Sequence, residues 1–216
     1  MTRALTASNL VRAYILAKEV VIRSGFHSEI DWQEELSFEN VSESDFLREM
    51  AWVVLSAGFR ESVLRKRFIL ISEAFLHWSS AGEIQKTHEQ CRLRALKAFN
   101  HPQKVDAILA TAELTARIGF PALKWQIESQ GIRFLKQLPF IGPVTAFHLA
   151  KNLGLSVVKP DRHLVRVARA AGYDCPDSMC QVIALAVAEK TSVVDLVLWR
   201  YATLNPHYAD SFSIHN

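Results

Sequence analysis

A chain of 216 residues, half of them apolar, fits one large domain or two small lobes and can bury a sizeable core. The net charge of +3 alone says little about partners, but three cysteines are too few and too odd in number for a disulfide framework. No apolar run approaches membrane-spanning length, and no Gly/Ser/Pro-rich or low-complexity tract interrupts a globular composition.

Nearly every periodic segment has helical spacing. Arg3, Arg12 and Lys18 are interleaved with apolar residues at the start, which reads as an amphipathic helix and not a secretion signal; a cytoplasmic or nuclear protein is expected. Leu10, Ala13, Tyr14, Ala17 and Val21 form the apolar stripe of that helix, which Gly25 ends. The acidic stretch His27–Asn40 is expected to be an irregular connection. Ser42 and Asp45 have capping-box spacing and start a helix running through Leu55, broken at Ala57-Gly58-Phe59. A helix from about Arg60 to Trp78 follows, with Val63, Phe68, Ile71 and Phe75 inward. Two more are expected over Glu83–Phe99 and Pro102–Ile118, the second opened by Pro102 in its first turn. A helix from about Pro121 leads to a turn at Leu138–Pro143. Further helices are expected near Pro143–Leu153, Arg162–Ala171, Asp177–Glu189 and Val193–Leu204, with Ser192 and Asp195 capping the last. No alternating strand pattern and no long repeat appears, so the class is all-α.

Charge is unevenly spread. Between Glu29 and Glu49 lie Glu29, Asp31, Glu34, Glu35, Glu39, Glu43, Asp45 and Glu49 against Arg48. From Phe120 to Arg169 the balance inverts, with Lys124, Arg133, Lys136, Lys151, Lys159, Arg162, Arg166 and Arg169 against Glu128 and Asp161. One basic region in a near-neutral chain fits a surface that meets a polyanion on one side only.

Two neighbouring features carry possible chemistry. Leu138, Phe140, Ile141, Gly142, Val144 and Thr145 belong to a Gly-containing turn leading into a helix start, which gathers unpaired N–H groups suited to a phosphate. Gly142 is expected to supply the freedom such a turn needs, and Pro143 removes one donor while beginning the helix. The same residues equally describe a plain helical corner. Asp161 opens the next helix, where Asp is a favourable N-cap with no function required. Arg162, Arg166 and Arg169 then fall on one strip opposite Leu164, Val167, Ala168 and Ala171, either a phosphate-contacting face or an ordinary solvated one.

The run Leu138-Pro139-Phe140-Ile141-Gly142-Pro143-Val144-Thr145-Ala146, followed by Pro160-Asp161-Arg162-His163-Leu164-Val165-Arg166, resembles the helix-hairpin-helix DNA glycosylases of the endonuclease III superfamily. The resemblance implies a two-lobed orthogonal helical array with a cleft between the lobes. Residues 45–152 would form the central lobe, and residues 1–44 with 153–216 the second. It implies a hairpin that grips DNA phosphate and Asp161 as the carboxylate that drives release of a damaged or mispaired base, with His163 as an orienting partner. A carboxylate suits that chemistry, because cleaving an N-glycosidic bond builds positive charge on the deoxyribose.

The chain departs from the family in three places. The family usually has Gly where Phe140 stands, so the grip is altered or Phe140 itself touches DNA. Strand-cutting members place a Schiff-base lysine where Val144 stands, so the resemblance implies a monofunctional enzyme; Lys136, Lys151 and Lys159 are the lysines near in sequence. Relatives with an iron–sulfur cluster need four thiolates, more than Cys91, Cys175 and Cys180 supply, and no cofactor or metal is expected. Flipping a base out of duplex DNA calls for a wedge and pocket walls. In this family the wedge follows the first helix of the central lobe, making Phe59 or Arg60 the candidate, with Phe59 equally readable as core; Trp52 and Trp125 are wall candidates or simple core, and Val144 would sit at the pocket mouth. Trp52 stands where adenine-excising members carry a Glu. The expected partner is damaged duplex DNA met by a monomer. The rivals are a non-catalytic helix-hairpin-helix DNA-binding or scaffolding module, and a helical protein–protein adaptor.

Overall fold

The computed structural model describes residues 5–213. The chain is all-α, with no strand among the described residues. In order the helices are α1 (Ala7–Val21), α2 (His27–Glu35), α3 (Glu43–Ser56), α4 (Glu61–Ala74), α5 (Ala81–Lys86), α6 (His88–Ala98) and α7 (Pro102–Ile118). There follow α8 (Phe120–Gln130), α9 (Ile132–Leu135), α10 (Pro143–Asn152), α11 (Arg162–Ala170), α12 (Pro176–Val187) and α13 (Thr191–Leu204). No helix among the described residues is long and apolar enough to cross a membrane. The chain divides into two compact units, one of Phe38–Leu153 and one joining the chain up to Ser37 with the chain from Gly154 onward.

The terminal unit is built around α13, against which α1, α2, α11 and α12 pack. The expected stripe Leu10, Ala13, Tyr14, Ala17 and Val21 is the buried face of α1. The segment expected to be irregular is instead largely helical: α2 covers His27–Glu35, and a 3-10 turn covers Phe38–Asn40. Long-range partners make that helix. Arg200 on α13 forms a bidentate pair with Glu29, and Lys190 Nζ donates to the C-terminal carbonyls of Glu34 and Leu36.

The central unit is organised on α3 and α7. Ser42 and Asp45 make the expected capping box, and Phe46, Leu47, Met50, Val53, Val54 and Leu55 bury the inner face of α3. The next helix is shorter than its pattern suggested. It stops at Ala74, and Leu76, His77 and Trp78 all take left-handed φ, at about 1–2 kcal/mol per residue. Stacking of Phe75 on Trp78 (4.9 Å) and a Trp78 Nε1 hydrogen bond to Ser72 Oγ offset that cost. Leu64, not Val63, faces the core. Glu83–Phe99 is two helices, interrupted at Thr87, whose hydroxyl bonds back to the Glu83 carbonyl.

Lys104 on α7 is 2% exposed and donates from Nζ to Leu55 O at 3.0 Å and to Ala57 O, closing the end of α3. Burial lowers its pKa from 10.5 to about 8. The unfolded chain therefore binds the extra proton between about pH 8 and 10.5, so this contribution to stability is full above 10.5 and is lost as pH falls to about 8. The shift corresponds to an upper bound of roughly 3 kcal/mol. Wild type is expected to gain stability against Lys104→Met as pH rises through that window, measured by urea denaturation of both proteins at pH 7 and pH 10. A constant difference would refute it.

Candidate functional site

The hairpin joins α9 to α10. Leu138 and Ile141 point inward and are buried, so only their main chain is open to a ligand. Gly142 does not use a glycine's freedom: it is the N-cap of α10 at φ −93°, ψ −176°, extended backbone that any residue adopts. The left-handed residue of the turn is Phe140, at φ 64°. Thr145 Oγ1 accepts from Gly142 N–H at 2.7 Å and donates to its carbonyl, so this hydroxyl holds the turn. With Pro143 lacking a donor, Val144 and Thr145 carry the first-turn N–H groups without an intrahelical partner. Val144 is half-exposed beside them. An anion fits such a helix start, with the dipole adding to the N–H groups.

Asp161 is the N-cap of α11. Its Oδ1 accepts from His163 N–H at 2.8 Å and Leu164 N–H at 3.1 Å, which leaves Oδ2 outside the cap on a half-exposed residue. Capping thus occupies one carboxylate oxygen and leaves the other outside the cap. His163 Nδ1 lies 3.1 Å from Tyr208 Oη, and Arg162 Nε donates to its Nε2. Burial first, with Arg162, Arg166 and Lys159 nearby, lowers the imidazole pKa. With Nε2 accepting from Arg162, the ring N–H sits on Nδ1, which then donates to Tyr208 Oη. Arg162, Arg166 and Arg169 are exposed on α11, and among the described residues no carboxylate forms an ion pair with Arg166 or Arg169.

What fixes Asp161 was not foreseen. Ser192 and Asp195 do not cap α13; its N-cap is Lys190, and both side chains are buried. Asp195 Oδ2 accepts instead from the backbone N–H of Lys159 at 2.6 Å, two residues before Asp161. Ser156 Oγ bonds Thr191 Oγ1 at 2.8 Å, Val158 enters the core, and Asp161 N–H donates to Lys159 O at 2.8 Å. The segment that leads into Asp161 is therefore tied to the start of α13 at Ser156 and Lys159, with Val158 packed in the core between them.

The wedge and wall candidates differ in setting. Phe59 is 44% exposed, and Arg60, the N-cap of α4, is exposed beside it. Trp52 is half-buried, with Phe68 edge-on at 5.1 Å and the Arg65 guanidinium 5.6 Å from its ring. Trp125 is 61% exposed on α8 and is not core. Of the basic cluster Arg60, Arg65, Lys66 and Arg67, all exposed, Arg65 pairs with Glu61. The three cysteines are free thiols, Cys91 and Cys180 buried and Cys175 exposed. Among the described residues no three His, Cys, Asp or Glu side chains form a metal-binding group.

No protein-family model and no curated protein matches this sequence. Among solved structures, the fold matches the Methanocaldococcus jannaschii 8-oxoguanine glycosylase/lyase, crystallised in complex with a 15mer DNA containing 8-oxoguanine. The TM-score is 0.58 at 23% identity, over 88% of this chain and 97% of that one. At that identity the likeness is one of fold: an all-α helix-hairpin-helix array.

Proposed function

We propose that this chain is a DNA glycosylase of the helix-hairpin-helix type, which hydrolyses the N-glycosidic bond of a damaged or mispaired base flipped out of duplex DNA and leaves an abasic site. The observation that carries the reading is Asp161. Its Oδ1 is spent on the helix cap while Oδ2 is left over, on a segment held rigid by Asp195. A fixed carboxylate is what an oxocarbenium-like sugar requires, for charge stabilisation and for orienting the attacking water. The solved structure of like fold is itself a glycosylase/lyase bound to DNA.

In this reading the N–H groups of Val144 and Thr145 take a DNA phosphate, and Arg166 and Arg169 neutralise others without reading sequence. Phe59 or Arg60 fills the space left by the flipped base. Val144 has no amine with which to attack the sugar, so water is the nucleophile and the strand stays intact. The test is a panel of duplexes, each with one alkylated purine, oxidised guanine, uracil or hypoxanthine, scored for abasic sites. Salt-dependent binding with no base released from any duplex would favour the rival of a binding module; no duplex affinity at physiological salt would favour the protein adaptor.

Asp195 acts through Asp161 as a positioning residue. Asp195→Ala is expected to lower the single-turnover rate of base release at least about tenfold, a displaced carboxylate being costly. Duplex affinity, read by fluorescence anisotropy, is expected to hold. Asp195→Asn keeps an acceptor for Lys159 N–H and restores most of the rate. Equal loss of rate and affinity in both variants would reduce Asp195 to a packing role.

A further inference from the structure

Three segments of the central unit converge on one aromatic cluster: the loop after α3 with Phe59, the start of α7 with His101 and Lys104, and the hairpin with Phe140. The His101 ring has Phe59 at 6.1 Å and Phe140 at 6.2 Å, both edge-on. Phe99 backs Phe59 at 5.0 Å and His101 at 6.2 Å. Lys104 Nζ lies over both outer rings, 4.6 Å from the Phe59 centroid and 5.6 Å from that of Phe140. One buried ammonium therefore sits under two rings from separate loops. Both residues are nonetheless 44% exposed, so Lys104 does not close the pair off from solvent.

The cluster is built for a flat apolar partner and not for an anion. The cation within it is buried, and two of its three N–H groups go to the Leu55 and Ala57 carbonyls, so it is poorly placed to meet a phosphate. Phe140 holds its place against its own backbone. Its φ of 64° is a conformation a glycine adopts without penalty, yet the position carries a large ring that is not packed into the core. Strain kept at an exposed aromatic residue points to a task for the ring.

We propose that Phe59 and Phe140 form one stacking ledge that takes the face of a single unpaired DNA base, with Lys104 locking the two loops into register. The ledge rests on the DNA reading above and adds a base-stacking role to a hairpin otherwise read as gripping phosphate through its main chain. Stacking is sequence-tolerant, since every base has a π-face, and its loss weakens binding by roughly 5- to 150-fold per base.

Phe140→Gly separates this role from folding, because it removes the ring and the backbone strain together. Full-length wild type, Phe140→Gly and Phe59→Leu are titrated by anisotropy into two duplexes, one fully paired and one with a single base opposite an abasic-site analogue. Wild type is expected to prefer the duplex with the unpaired base. Phe140→Gly is expected to lose about tenfold on that duplex and little on the paired one, with the same salt slope and an unchanged or raised melting temperature. Phe59→Leu is expected to lose part of the same preference. Unchanged preference in Phe140→Gly overturns the ledge while leaving the glycosylase reading standing; absence of duplex binding by wild type overturns both. If the rings instead join copies of this chain, Phe140→Gly alters the sedimentation of the free protein and neither affinity, which also overturns the ledge.

Discussion

Asp161→Asn is expected to cut base release by about 10²- to 10³-fold while leaving the protein almost as stable as wild type. The two effects separate because the proposed catalytic role falls to the oxygen that the cap does not use. Asn caps as well as Asp: its carbonyl oxygen can accept from His163 and Leu164 N–H as Oδ1 does. What it lacks is the negative charge that stabilises the sugar cation. The smaller loss of charge–dipole attraction at the start of α11 keeps the stability change below about 1 kcal/mol. Asp161→Ala removes both oxygens, so it should lose the same activity and a further ~1 kcal/mol of stability. Melting curves and abasic-site yields on the same preparations decide the matter. If Asn retains the wild-type rate and only Ala is unstable, Asp161 is a helix cap and nothing more.

The parts of this fold legible in the sequence are those whose causes are local. The α1 stripe is set by residues three and four apart, and the start of α3 by a side chain three residues away; both were found where expected. The parts that were hidden are those whose causes lie far along the chain. A glutamate-rich segment reads as a loop until Arg200 and Lys190 reach back to it across more than 150 residues. Thr87 and the left-handed turn at Leu76–Trp78 cut two long patterns that periodicity alone runs through. In the candidate site, the cap at Asp161 and the basic strip on α11 followed from helix geometry. The roles of Asp195 and Lys104 did not, because the bonds that matter reach far along the chain: one holds a backbone N–H 36 positions away, the other a carbonyl 49 positions away. Gly142 shows the reverse error. A glycine in a turn invites the inference of a left-handed φ, but the turn places that conformation on Phe140.

Wild-type protein is expected to leave no borohydride-trapped adduct on a duplex it processes, and Val144→Lys is expected to create one. A Schiff base needs a neutral amine within reach of the sugar. Burial brings the amine of Lys104 nearest to that state, at about 8, yet its Nζ is tied to two backbone carbonyls inside the central unit and is shut off from solvent. Val144, by contrast, is half-exposed in the first turn of α10, beside the N–H groups proposed to hold phosphate. A lysine there meets the positive end of the helix dipole. That costs about 0.3–1 kcal/mol of stability and at the same time lowers the amine pKa, which favours attack. The gain should be covalent product where wild type gives none, visible as a shifted band on a denaturing gel. An adduct formed by wild type and lost in Lys104→Met would instead mean that the α3 end opens to release that amine, and water would no longer be the nucleophile.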